Sequence, residues 1–239
     1  MLRRVCVLST SLAAFAPAAT INVPGDQSTI QRGIDAAEDG DVVQVAAGTY
    51  GEKIRFNGKA ITVLGAGIDA SVIDPSGAST GLGRVVTFRD REGSGSVIEG
   101  FTLTGGEAIN GGGIYCSSSG AFGAALRSSL TASERNLSGM TSTSVGNADG
   151  GRKLSSSGPT IVNCKISGNS AEATGGGICC WGWKGANITD CIIEENSANT
   201  GGGVYGRFSS PVISGCTIRD NEAIDVVVEG GTLLGVGAV

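Results

Sequence analysis

Apolar residues fall two apart in short runs along most of this chain, and Gly, Asn, Asp and Ser break the runs. A period of two is the mark of strands, and the interruptions mark turns. The runs recur in a fixed order. Gly-Gly-Gly-Ile stands at 111–114 and 175–178, and Gly-Gly-Gly-Val at 201–204. The last two are 26 residues apart and the first two 64. Residues 121–158, rich in Ser, Gly, Ala and Thr, lack the alternation, and removing those 38 restores a spacing of 26. Cys116-Ser-Ser-Ser-Gly120 then runs into Pro159-Thr-Ile-Val-Asn-Cys164, much as Ser209-Ser-Pro-Val-Ile-Ser-Gly-Cys216 reads one unit later.

With that segment set aside, the units align in columns. Cys164, Cys191 and Cys216 share one, with Phe101 in the same place a unit earlier. Ile98, Ile161, Ile188 and Ile213 precede it by three residues, and Leu103, Ile166, Ile193 and Ile218 follow it by two. Gly106, Asn169, Asn196 and Asn221 follow it by five. Ile114, Ile178 and Val204 form another column, with Cys116, Cys180 and Gly206 two residues on. Asn163, Asp190 and Gly215, just before the Cys column, read as turn residues. A unit of three short strands and three turns cannot bury its inner face alone, but copies stacked about 4.8 Å apart can. Burying one Ile or Val contributes about 1.5–3 kcal/mol, so each such column is a substantial share of the stability. Asn suits its column because it tolerates left-handed backbone at a turn and its amide can bond to the next Asn in the stack.

This pattern resembles the right-handed parallel β-helix proteins of the pectin-lyase-like superfamily. The residues that carry the likeness are Gly40–Tyr50, Gly58–Gly65, Gly100–Gly106 and the Asn-Ser-Ala…Gly-Gly-Gly runs at 169–177 and 196–203. It covers roughly residues 20–120 and 159–228. The resemblance implies an all-β, right-handed parallel β-helix (a solenoid) with a short N-terminal capping helix. It implies no single activity, because the fold carries lyases, hydrolases, adhesins and plain surface repeats.

The capping helix is expected over Asp26–Asp39. Ser28 and Gln31 make a capping-box pair, Ile30, Ile34 and Ala37 an apolar face, Gly33 weakens it and Gly40 ends it. At the other end a last strand is expected near 225–228, and Thr232–Val239 is small and apolar with no polar cap. That ending fits a fragment of a longer array, a segment folded over the end, or end-to-end association. Residues 121–158 fit a flexible surface excursion from a turn, a wall of a substrate groove, or an insertion at the gene level.

Met1–Ala18 reads as a secretory signal peptide: Arg3 and Arg4, a 12-residue apolar stretch from Val5 to Ala16, and an Ala16-Pro17-Ala18 cleavage pattern. The β-helix domain is then 19–239, and the protein is expected to be secreted or at the cell surface. No other stretch is long and apolar enough for a membrane span. Without Arg3 and Arg4 the chain carries 15 Lys and Arg against 22 Asp and Glu. That balance disfavours nucleic acid and anionic membranes as partners.

His is absent, which excludes His bases, nucleophiles and ligands. Setting aside Cys6 leaves six cysteines. An even number in a secreted chain suggests disulfides, yet three stacked residues cannot all pair, so the column is read as packed thiols with room for one bridge. Cys179-Cys180 lacks metal-ligand spacing, and no metal or cofactor is expected. Hydrolases need paired carboxylates, and lyases need calcium-holding acids with a Lys or Arg base. The outward positions on the strand taken to begin at the Gly triplets are Gly113, Tyr115, Gly177, Cys179, Gly203 and Tyr205, none acidic. Glu194, Glu195, Arg219 and Asp220 cluster near turns, as a weak calcium site or as ion pairs.

The sharper feature is aromatic. Trp181, Trp183 and Phe208 lie in the turn after the Gly-triplet strand, with Tyr115 and Tyr205 on it. Such rings either shield the coil edge or stack on sugar faces. Asn136 and Asn187 head glycosylation patterns. The leading expectation is a non-catalytic repeat module that binds polysaccharide or a cell-surface glycan through Tyr115, Trp181, Trp183, Tyr205 and Phe208. The alternative is a polysaccharide lyase or glycoside hydrolase of the pectin-lyase-like fold with catalytic residues unidentified, and a third class is a structural spacer or adhesin.

Overall fold

A computed structural model describes residues 17–77, 83–117, 158–182 and 185–224. Expectations for the signal peptide, most of residues 121–158, Trp183 and the C-terminal strand fall outside these residues.

The chain winds through four all-parallel sheets in turn. The first holds Thr20–Val23, Val42–Val45, Thr62–Leu64, Val97–Glu99, Thr160–Val162, Asn187–Thr189 and Val212–Ser214. The second holds Gly48–Tyr50, Ser71–Ile73, Thr102–Leu103, Lys165–Ser167, Ile192–Glu194 and Thr217–Arg219. The third holds Glu107–Asn110, Ser170–Thr174, Ser197–Thr200 and Glu222–Ala223. The fourth holds Ile54–Arg55, Val86–Phe88, Ile114–Ser117, Ile178–Trp181 and Val204–Arg207.

The unit therefore has four strands, not the three expected. The bend read at Asn163, Asp190 and Gly215 separates the first sheet from the second, with φ angles of 46°, 53° and 63°, and the strand not expected is that of the third sheet, between the Asn column and the Gly triplets. The columns read from the sequence are the register. Ile98, Ile161, Ile188 and Ile213 pair in succession, as do Leu103, Ile166, Ile193 and Ile218, and Ile114, Ile178 and Val204. They continue into earlier coils through Val43 and Val63 in the first sheet and Ile73 in the second. Val97 pairs with Thr160 and Ile114 with Ile178, so the coils on either side of residues 118–157 are direct neighbours.

The Asn column is a buried ladder. The Asn169 amide donates to Oδ1 of Asn196 at 3.0 Å, and that of Asn196 to Oδ1 of Asn221 at 2.9 Å. Each amide also donates to a carbonyl of the preceding coil, Leu103, Ile166 or Ile193. The expected left-handed backbone lies one residue earlier, at Gly168, Glu195 and Asp220. The ladder residues are selected for their amides and not for their φ.

The Gly triplets are turns, and their strands begin one residue later, at Ile114, Ile178 and Val204. The first Gly of each has φ of 64°. A Cβ on Gly177 or Gly203 would meet the amide of Asn196 or Asn221 at 3.0 Å, so the third Gly makes room for the ladder.

The helix is Ile30–Ala36, shorter than expected. Its N-cap is Thr29, not Ser28, with Oγ1 accepting from the Arg32 amide at 3.2 Å. Gln31 bonds to Asp35 and to the Arg55 backbone instead of reaching back to Ser28. The chain is already extended at Ala37, three residues before Gly40. Ile30, Ile34 and Ala37 are buried as read.

Candidate functional site

Strand alternation sends every second residue of the fourth sheet outward. Ile114, Cys116, Ile178, Cys180 and Val204 are buried in the core. The residues between them form two outward rows. One row is Arg55, Thr87, Tyr115, Cys179 and Tyr205, and the next is Ser117, Trp181 and Arg207. Tyr115 and Tyr205 thus stand two coils apart, about 9.6 Å, with Trp181 about 6.6 Å further along the strand direction.

The structure brings Tyr115, Trp181 and Tyr205 onto one face, each half-buried. Phe208 follows at the edge with φ of 50° and is 73% exposed. Trp183 is outside the described residues. Cys179, read as an outward position, is nonetheless fully buried. Its Sγ lies 3.5 Å from Oγ1 of Thr174, and the turn at Gly175 packs over it. Burial pushes its thiol up to about 12, which removes it as a nucleophile at neutral pH.

Arginines accompany the rings. The Arg84 guanidinium sits 4.1 Å from the Tyr115 ring centre, and its Nε donates to the Asn110 carbonyl at 2.7 Å. Burial pulls its affinity for its proton down. The Arg207 guanidinium lies 5.4 Å from the Trp181 ring and 5.3 Å from Phe208. Arg55, in the tyrosine row, pairs with Asp90 at 2.6 Å. Sequence reasoning missed Arg84 because it lies before the units that align, where no column marks it. The signal available was its place two residues before Val86, on the coil below Tyr115.

The acidic cluster is an ion-pair site on the second sheet. Glu194, its side chain 6% exposed, is held by Lys165 at 2.7 Å and by Arg219. Hydrogen bonding from Lys165, then from Arg219, holds its carboxyl below the usual range. Glu195 and Asp220 occupy the left-handed corner. Among the described residues no group of three His, Cys, Asp or Glu is placed to hold a metal ion, and no helix is long and apolar enough to cross a membrane.

Residues 91–236 match the family described as the right handed beta helix region. That is more than half of the chain, and with the parallel stacked coils it places the protein: it belongs to the right-handed β-helix family. No curated protein matches the sequence.

Proposed function

We propose that this β-helix is a secreted or cell-surface module that binds polysaccharide without cleaving it, through the outer face of the fourth sheet. The observation that carries the reading is the register of Tyr115, Trp181 and Tyr205 on one face, with Arg84 and Arg207 beside their rings. Half-exposed rings with polar edges offer their faces to the C–H surfaces of sugars. Guanidinium forks add paired donors to sugar hydroxyls or carboxylates. The tyrosine spacing across two coils suits an extended chain lying along the solenoid axis.

The test is a glycan array and titration calorimetry with neutral and uronate-bearing polysaccharides. Replacing Trp181 and Trp183 together by Ala should weaken binding about tenfold, a loss of about 1.4 kcal/mol from two ring contacts of about 0.5–1.5 kcal/mol each. Undiminished binding, or no glycan bound by the intact protein, refutes the reading. The second reading is a lyase of the pectin-lyase-like fold. It is favoured by the half-buried Arg84 cation beside Tyr115 on this face, placed to engage a uronate carboxylate. Ultraviolet absorbance of unsaturated product from acidic polysaccharides, lost in Arg84→Ala, decides for it over the binder.

A further inference from the structure

The six described cysteines carry free thiols and differ in what those thiols touch. In the three-member column each Sγ lies against carbonyl oxygens of its own coil and the one before. For Cys164 these are Val162 at 3.2 Å and Ile98 at 3.8 Å, and for Cys191 they are Thr189 at 3.2 Å and Ile161 at 3.6 Å. Cys216 repeats the pattern with Ser214 and Ile188. Cys179 faces Thr174 on the outside.

Cys116 and Cys180 are arranged otherwise. They sit directly opposite each other in adjacent parallel strands of the fourth sheet, both pointing inward. Their exposures are 3% and 0%. Phe88 closes the column on one side and Gly206 on the other. Neighbouring coils are about 4.8 Å apart, inside the Cα range of a disulfide. A bridge in the three-member column would draw sulfur off its carbonyls and leave one thiol over. A bridge between Cys116 and Cys180 pairs both cysteines of a column bounded by Phe88 and Gly206 and leaves none over.

We propose that Cys116 and Cys180 are a cross-linking site, oxidised to a disulfide that clamps the coil before residues 118–157 to the coil after them. The oxidant is a small-molecule disulfide of the glutathione type. The thiolate of one cysteine attacks it, forming a mixed disulfide and expelling one thiolate. The second cysteine's thiolate then attacks the protein sulfur and expels the other. Two protein thiols and one disulfide become one protein disulfide and two small thiols, which carry the two protons. Both sulfurs are buried away from solvent, so the closed pair is inert. Exchange therefore happens while the fourth sheet is still open, during folding. Once made, the bond is shielded from reductants by the same burial.

The test is to refold the full chain in a glutathione redox buffer and in reductant, alkylate, and map tryptic peptides by mass. Cys116 falls in the peptide 92–127 and Cys180 in 166–184, which also holds Cys179. Fragment spectra assign the second sulfur. The expected result is these two peptides joined, two hydrogens lighter, with the bridge on Cys180, while Cys164, Cys191 and Cys216 are alkylated. The oxidised protein should melt about 5–10 °C above the reduced one. Alkylation of Cys116 and Cys180 after oxidative refolding, or a bridge from either to another cysteine, overturns the proposal. The map needs only the unmodified chain, so misfolding of a variant cannot mask the answer.

Discussion

The coils before and after residues 118–157 solve one problem in two ways. Every corner of a solenoid leaves backbone donors and acceptors that must be satisfied where water does not reach. In residues 158–224 one device repeats, a buried Asn amide bonded to the next Asn and to the coil before. In residues 17–112 each corner has its own device. Glu52 accepts from the amides of Ile30 and Gln31, and Glu92 from those of Gly58 and Asp90. Lys59 donates to the carbonyls of Ile34, Asp35 and Ala37, and Ser96 to that of Lys59. A repeated device ties each coil to its copies. A set of single devices ties the capping helix to particular coils.

The comparison is tested first where the ladder is deepest. Asn196→Ala removes one acceptor for two donors of Asn169 and one donor to Ile166 and Asn221. It should cost about 2–4 kcal/mol in urea unfolding, with both neighbouring coils loosened in hydrogen exchange. A loss under about 1 kcal/mol would mean the ladder is not what holds these coils. Lys59→Met keeps the apolar stem and removes the three bonds to the end of the helix. A loss of about 1–3 kcal/mol is expected, with exchange protection falling in Ile30–Ala36 and not in the Asn coils. Loosening of both halves alike would erase the distinction.

The smallest effect is in pH. Glu194 has its folded value depressed by Lys165 and Arg219, so its contribution is present above the ordinary carboxylate value and lost as pH falls. Glu92 is raised by burial, so its contribution is present at acid pH and lost as pH rises through the raised value. Subtracting the stability of Glu194→Gln from that of the parent should give a difference that grows as pH rises from about 3 to 5, while the same subtraction for Glu92→Gln gives one that shrinks from about 4.5 upward. Each should span at most about 1 kcal/mol, because the pair on Glu194 is screened through exposed Lys165 and Arg219. Like slopes for both would show that burial does not separate them.

The two halves also explain what could be read in advance. Cys164, Cys191 and Cys216, the Ile columns, the Asn column and the Gly triplets announce themselves because a stack places like on like, so contact becomes spacing. Lys59, Glu92 and Ser96 have no counterpart a unit away, and nothing local marks them as corner groups. The third-sheet strand of each unit escaped notice because Ser170–Thr174 and Ser197–Thr200 are small and polar and contribute no Ile or Val column. Tyr115 and Tyr205 were legible from strand alternation, Trp181 was read into the turn but ends the strand Ile178–Trp181, and Arg84 reaches Tyr115 across coils that share no sequence pattern.

Because Val97 finds Thr160 and Ile114 finds Ile178 as neighbours, the pile counts layers by contact and is indifferent to how much chain runs between them. The corner after Ser117 is therefore an address. Guest peptides grafted there should leave the remaining layers in place, which makes this solenoid a usable scaffold for displaying foreign loops beside an aromatic face.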